Sequence, residues 1–378
     1  MERVNPYLNN FAFYLLMLMA LTLILSNALA VTLAGVVCVT WLMQTIAYRR
    51  STYLEYPLFK LLCAFVGYKL LVLLIAGYEN GLGRAMGQIA FPLLYLVVPA
   101  VVVTAERRRN VLWLLIAGAI IASGYGLIKY HIGIETRISS FVSGCYTMGT
   151  FLCLVIGILL VMFAHADSGK ERIFLGLVMV PLVAALIFTY VRAGYLAMIA
   201  AVTMVGLMKD RRVLAVLTII VLALLFVIPG TGAKIMQRLD FSSSDAFSGR
   251  DILWSEGLIK AKDVPFFGYG INSFPALFDV RTDARIKDKS ISTWHNMYLE
   301  ALLDGGPLSL IFLVALFLFQ GKHSLAIYRR TRDPNKKMIH MIVLVILVIV
   351  AVMGMFADVL RDPIISLFFW LILGLSII

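Results

Sequence analysis

The sequence predicts an all-α fold, a polytopic integral membrane protein of about twelve transmembrane helices, and three observations carry that prediction. Composition comes first: of 378 residues, 61% are hydrophobic and only 14% are charged, whereas soluble domains average about 45–50% apolar and about 25% charged residues. Second, the apolar residues fall in runs that approach the length of about 20 residues needed to cross the hydrocarbon of a bilayer. Third, basic residues are divided unevenly between alternate connections, as in a chain with a fixed orientation across a membrane.

The spans read in order as 11–26, 28–47, 57–77, 88–105, 111–129, 145–166, 173–190, 192–208, 213–229, 296–320, 338–356 and 363–378. The break between the seventh and eighth rests on "TYVRAGY" rather than on a clear polar loop. The chain therefore divides into residues 1–229 with nine spans, a long extramembrane loop over 230–295, and residues 296–378 with the last three spans. The opening "MERVNPYLNN" is followed by no small-residue cleavage site before the first span, so no cleavable signal peptide is expected. Cys38, Cys63, Cys145 and Cys153 all fall in apolar segments and read as small core residues, not as a disulfide or zinc framework.

Placing the N-terminus inside gives inner connections with sixteen basic residues, among them Arg107, Arg108, Arg109, Arg329 and Arg330. The short outer connections then hold five: Arg84, Lys129, Arg137, Arg192 and Arg361. Basic loops are retained on the cytoplasmic side, so both termini are expected in the cytoplasm. The net charge of +12 is accounted for by orientation and calls for no nucleic-acid partner. The long loop lies outside with nine basic residues; long loops follow the charge rule poorly. Its basic surface suits an anionic partner at the outer leaflet, such as a lipid phosphate.

Ionisable residues gather at the outer helix ends. His131 and His295 lie on the outer side, whereas His165, His323 and His340 read as solvated residues near inner loops. His295, followed by Asn296, Glu300 and Asp304 at roughly helical spacing, starts a polar stripe at the tenth span. Two readings are open for it: an interfacial cap, or a general base, since imidazole titrates near neutrality. Arg192 in "FTYVRAGYLAM" opens the eighth span, where it either snorkels to the interface or joins the helix N-terminus in binding an anion. Arg250 in "DAFSGRDILWSEGLIKAK" follows Ser248, which with Asp251 resembles a capping box. It is either a solvated loop arginine or a second guanidinium at a helix start, suited to a phosphate or diphosphate. Arg137 opens the sixth span, with Glu135 as a neighbour. Asp358 and Arg361 precede Pro363 at the twelfth span and suit a structural salt bridge or a functional role equally. No HxxxH motif or cysteine pairing marks a metal site, and no P-loop, GxSxG or GxGxxG pattern occurs.

Several segments resemble, in order, the O-antigen ligase and polymerase family of bacterial envelope assembly: "RISSFVSGCYTMGTF", "VRAGYLAM", "GRDILWSEGL" with "PFFGYGINSF", and "WHNMYLEALLDGGPLSLI". The His-Asn pair followed by nine residues and Gly306 is the most specific of these signals. Ser309 stands where ligases often carry Gly, Thr or Tyr, a departure that bears on the subtype, while "ADVLRDP" resembles a ligase C-terminal segment.

The resemblance implies a bacterial inner-membrane glycosyltransferase with no metal or other cofactor and with short helices in a long periplasmic loop. It implies an undecaprenyl-diphosphate-linked O-antigen as donor and the lipid A–core oligosaccharide as acceptor, joined at the periplasmic face. By matching motifs, His295 would activate the acceptor hydroxyl, and Arg192 and Arg250 would hold the donor diphosphate, with Asn296, Arg137, Asp358 and Arg361 in support. Single displacement would invert the anomeric centre. Three rivals stand beside the ligase. A polymerase of the same family would use a second lipid-linked glycan as acceptor. A protein O-oligosaccharyltransferase usually brings further C-terminal sequence. A lipid-glycan flippase or exporter, a non-enzyme, would place its important charges through the membrane interior.

Overall fold

The computed structural model describes residues 5–49, 51–78, 82–141, 143–212, 214–215, 218, 249–283, 286–287 and 291–378. The expected ninth span over 213–229 lies almost wholly outside the described residues, as do Ser248, Lys234, Arg238, Arg285 and Lys289 of the long loop. Among the described residues the regular structure is helical, with one isolated bridge between Tyr78 and Ile271.

The helices are α1 (Pro6–Thr22), α2 (Asn27–Tyr48), α3 (Phe59–Ile75), α4 (Leu82–Ala90), α5 (Leu94–Val101), α6 (Ala105–His131) and α7 (Cys145–His165). They continue with α8 (Gly169–Thr189), α9 (Arg192–Met208), α10 (Arg250–Ala261), α11 (Phe274–Leu277), α12 (Met297–Arg330), α13 (Pro334–Gly354) and α14 (Pro363–Leu375). Among the described residues α2, α6, α7, α8, α12 and α13 are long and apolar enough to cross a membrane, and α9, α14 and the stretch Ala85–Val101 are shorter apolar helices.

Local chemistry sets most of the boundaries. Asn5, Ser26, Thr104 and Ser168 each accept a hydrogen bond from a first-turn backbone N–H of the helix that follows, satisfying donors that have no partner inside the helix. Asp333 and Asp362 do the same for α13 and α14, each followed by a proline at the first helical position, where its missing N–H costs nothing. The break expected at "TYVRAGY" falls at Tyr190, which ends α8 in the left-handed conformation at φ +52°.

The fourth expected span, 88–105, is corrected. It divides into the end of α4, a 3₁₀ turn over Phe91–Leu93 and the short α5, with Pro92 in the turn and Pro99 inside α5. Pro92 removes a backbone donor and crowds the preceding turn, so the α-helical pattern is interrupted there by the 3₁₀ turn, while α5 carries Pro99 within it. Arg107, Arg108 and Arg109 belong to the first turns of α6 rather than to the connection before it. His340 is also corrected: it is 3% exposed, with Nδ1 3.3 Å from Ser324 Oγ, and ties α13 to α12. Cys63 faces outward from the helix bundle rather than into a core.

α7 is the hub. Its side chains from Met148 to Ala164 are buried, and α8, α9 and α13 pack around it. A second, smaller core gathers Ile252 and Leu253 of α10, Phe274 of α11, Ile286, Trp294, and Leu299 and Leu303 of α12. This cluster fastens the described part of the long loop onto the start of α12, with the Trp294 ring edge-on to Phe274 at 4.8 Å.

α12 is two helical stretches joined at Gly305 (φ −126°) and Gly306 (φ +70°), with Pro307 next. Backbone carbonyls released at the bend are taken up by the loop before α11: Tyr269 N–H donates to the Leu303 carbonyl (2.8 Å), and Gly270 N–H to that of Asp304 (3.1 Å). The Tyr68 hydroxyl of α3 donates to the Gly305 carbonyl at 2.8 Å. A bend in so apolar a helix needs such partners, because hydrocarbon supplies none. A Cβ on Gly306 would lie 2.0 Å from the Phe266 carbonyl oxygen, whereas one on Gly77 (φ +80°) would meet nothing within 4 Å. Gly77→Ala is therefore expected to cost about 1–2 kcal/mol, the backbone term alone. Gly306→Ala is expected to cost about 3–5 kcal/mol, strain plus overlap. Thermal unfolding of the two variants in detergent checks the order.

Candidate functional site

α10 begins at Arg250 because Gly249 adopts φ +81° and serves as N-cap without a side-chain bond. The cap is thus Gly249; Ser248 of the expected capping box lies outside the described residues. Arg250 Nε donates to the Phe356 carbonyl in the α13–α14 connection at 3.0 Å. One turn further along α10, the Trp254 ring sits 6.1 Å from that of Phe356. Burial is the first influence opposing the charge on Arg250; Tyr146 beside it favours the charge, and the cations Arg192 and Arg137 oppose it again. Three guanidinium groups from three separated segments therefore share one region.

Arg192 is the first residue of α9, whose N-cap Val191 makes no side-chain cap bond. Backbone N–H groups at such a helix start, with the helix dipole behind them, favour negative charge. Arg137 does not open a helix; α7 begins only at Cys145. It reaches across to the end of α8, donating to the carbonyls of Thr189 (2.9 Å) and Tyr190 (3.4 Å). Its expected neighbour Glu135 pairs instead with Lys129 and accepts from the Ser139 hydroxyl.

His295 lies just before α12 with φ +50°, an uncommon conformation for a residue with a Cβ. Its N–H donates to Thr293 Oγ1 at 3.3 Å, and its Nδ1 lies 3.4 Å from the same oxygen. Burial, and then the nearby Arg250 cation, push the imidazole down to about 4. The ring is therefore neutral at neutral pH, with a nitrogen lone pair available to take a proton. Asn296 is the N-cap of α12: its Oδ1 accepts from the N–H groups of Tyr298 (3.0 Å) and Leu299 (3.1 Å). That oxygen supports the helix start.

The acidic side of the stripe is turned inward. Glu300 is 2% exposed; its Oε2 accepts from Trp294 N–H at 2.9 Å, and its Oε1 accepts from Arg361 at 2.8 Å. A salt bridge between Asp358 and Arg361 is replaced by this pair. The Arg361 backbone N–H donates to the Asp358 carbonyl (3.3 Å), while its guanidinium reaches Glu300 and the Ser292 carbonyl. Asp304, also 2% exposed, accepts from Asn272 N–H (2.8 Å) and from the Ser273 N–H (2.9 Å) and hydroxyl (2.8 Å).

A cavity of about 70 Å³ lies behind the stripe, lined by Lys69, Gln88, Glu300, Asp304, Ser309, Asp358 and Arg361 among others. Burial holds the Asp358 carboxyl above the usual carboxylate range, at about 6. Lys69 donates to Gln88 (3.4 Å), which donates to Asn272 (3.0 Å). Sequence reasoning missed Lys69, Gln88, Asn272 and Tyr146. Lys69 carried a signal, a lone cation in the apolar run "FVGYKLLVLL"; Gln88, Asn272 and Tyr146 carried none by type or spacing.

The structure thus sets Arg250 within electrostatic reach of His295 on one side and of Arg192 and Arg137 on the other, and sets Asp358 and Arg361 against the cavity. Chemically this is a neutral base beside a cluster of cations, suited to deprotonating a hydroxyl next to a bound anion. Residues 177–314 match a family model described as O-Antigen ligase, a segment that includes Arg192, Arg250, His295 and Asn296. No curated protein matches the chain.

Proposed function

We propose that this chain, a member of the O-antigen ligase family through residues 177–314, is the ligase itself: a metal-independent, inverting glycosyltransferase. The donor would be an undecaprenyl-diphosphate-linked O-antigen and the acceptor the lipid A–core oligosaccharide, joined at the periplasmic face of the inner membrane, with both termini cytoplasmic. The observation that supports the reading is Arg250, tied to the Phe356 carbonyl, lying near a neutral His295 and also near Arg192 and Arg137.

In the proposed reaction the acceptor hydroxyl oxygen attacks the anomeric carbon while His295 takes its proton. The bond from that carbon to the diphosphate oxygen breaks with its electron pair, and undecaprenyl diphosphate leaves. Arg250 and Arg192 stabilise the negative charge that grows on the leaving group. Fixed guanidinium groups in a water-poor site serve this purpose without reorganising as the reaction proceeds. The long prenyl chain stays in lipid throughout. Attack from the face opposite the diphosphate inverts the anomeric centre, and net retention in a stereochemical analysis of the product removes the single-displacement scheme.

The test is transfer in proteoliposomes with a chelator present, offering donor and lipid A–core together, and donor alone. Glycan on the core supports the ligase. Lengthened donor with no core product makes the chain a polymerase of the same family, and no new glycosidic bond in either arm overturns the enzyme reading.

A further inference from the structure

His295 holds a left-handed backbone at φ +50°, which costs a residue with a Cβ about 1–2 kcal/mol and persists only where the surroundings impose it. The contacts that impose it come from two side chains, the buried Glu300 and the half-buried Arg361. Glu300 Oε2 accepts from the N–H of Trp294, the residue before His295, at 2.9 Å. Arg361 donates both to the Ser292 carbonyl, three residues before His295, at 3.3 Å, and to Glu300 Oε1 at 2.8 Å. The segment 292–295 is thus tied at two backbone points to one ion pair, and that pair spans from α12 to the α13–α14 connection.

The connection carries a second tie. Phe356, five residues before Arg361, accepts the hydrogen bond from Arg250 Nε at 3.0 Å. The connection thus holds the Arg250 guanidinium through the Phe356 carbonyl and, separately, the backbone before His295 through Arg361. The Trp294 ring, fully buried against Phe274 and Phe278, blocks the other direction in which the segment might relax.

We infer that Glu300 and Arg361 are positioning residues for His295, an ion pair that clamps the backbone of Ser292–His295 so that the imidazole is held in register with Arg250. The inference rests on His295 acting as the base proposed above. A displacement of about 1 Å at a reacting group costs about 100-fold in rate, and the clamp sets the placement of the base without contributing to donor affinity.

The variants Arg361→Lys and Glu300→Gln test this in proteoliposomes, each also made in a His295→Ala background. Arg361→Lys keeps the charge but is shorter, so its ammonium falls short of the position from which Arg361 Nη1 donates to both the Ser292 carbonyl and Glu300 Oε1. Glu300→Gln keeps an oxygen for Trp294 N–H but loses the ionic partner. Each is expected to lower kcat by about 10- to 100-fold with the KM for donor and for acceptor within about twofold. The pair together should be no worse than the more severe single variant, because both act through one contact network. In the His295→Ala background neither should lower the residual rate further. Unchanged kcat in both variants overturns the inference, and so does a loss that persists without His295, which would mean general destabilisation. If His295→Ala turns over like the parent, the base assignment falls and this inference with it. If His295→Ala is inactive while both clamp variants are fully active, only this inference falls.

Discussion

Replacing His295 with alanine is expected to lower turnover by about 10²–10⁴-fold, the range a positioned general base contributes, with donor affinity retained. The pH dependence is the sharper expectation. Burial and the Arg250 cation hold the imidazole down to about 4, so the proton-accepting form is the folded-state form throughout the neutral and mildly acidic range. A histidine with ordinary affinity would be half protonated near pH 6.5, and its activity would already be falling there. Here the rate of the parent should hold as pH drops through 6.5 and fall only as it approaches about 4. Removing the Arg250 charge takes away one of the two influences, so in Arg250→Ala the acid limb of the residual activity should move to higher pH. Rates of transfer across pH 4–8 in buffered proteoliposomes measure both, and an acid limb near 6.5 in the parent would contradict the environment described for His295.

Arg250→Ala is expected to reduce kcat/KM by about 10²–10³-fold, the loss typical of removing one preorganised donor to a developing anion. Arg250→Lys should recover little of it. The Nε bond to the Phe356 carbonyl fixes the guanidinium plane, and an ammonium cannot make that bond while also presenting paired donors to a diphosphate. Binding has its own readout. Burial and the cations Arg192 and Arg137 oppose the charge on Arg250, and a bound diphosphate offsets that mutual repulsion. Inorganic pyrophosphate at about 100 times its dissociation constant should then stabilise the folded protein by about 2.7 kcal/mol, seen as a rise in Tm. The rise should be lost in Arg250→Ala and Arg192→Ala. An equal rise in all three proteins would place the anion elsewhere.

What could be read from the sequence was local. The helix starts at Pro363 and Arg192, the break at Tyr190, and His295 and Asn296 at the entrance to α12 follow from run length, capping residues and proline position. Those signals act over a few residues, and hydrogen bonding within one turn decides them. The fourth span is apolar and helical over Ala85–Val101, but its apolar length does not report the 3₁₀ interruption at Pro92. The Gly305–Gly306 bend was visible only as two glycines and a proline. Its hydrogen bonding depends on Tyr68, which is remote in the chain.

The sequence by itself determined that the chain is a bundle of apolar helices with ionisable residues at particular helix ends. Tertiary structure alone decided that Arg250 lies near His295, Arg192 and Arg137, that Arg361 pairs with Glu300 rather than Asp358, and that Lys69 and Gln88 face the same cavity as Asp304. The physical reason lies in the solvent. In water, the apolar stripe of a helix reports which face is buried. Lipid tails are as apolar as leucine, so an unbroken apolar run does not say which side meets protein and which meets lipid. The pairing of distant helices was set by close packing and by buried polar contacts whose partners lie hundreds of residues apart, such as Tyr68 with Gly305.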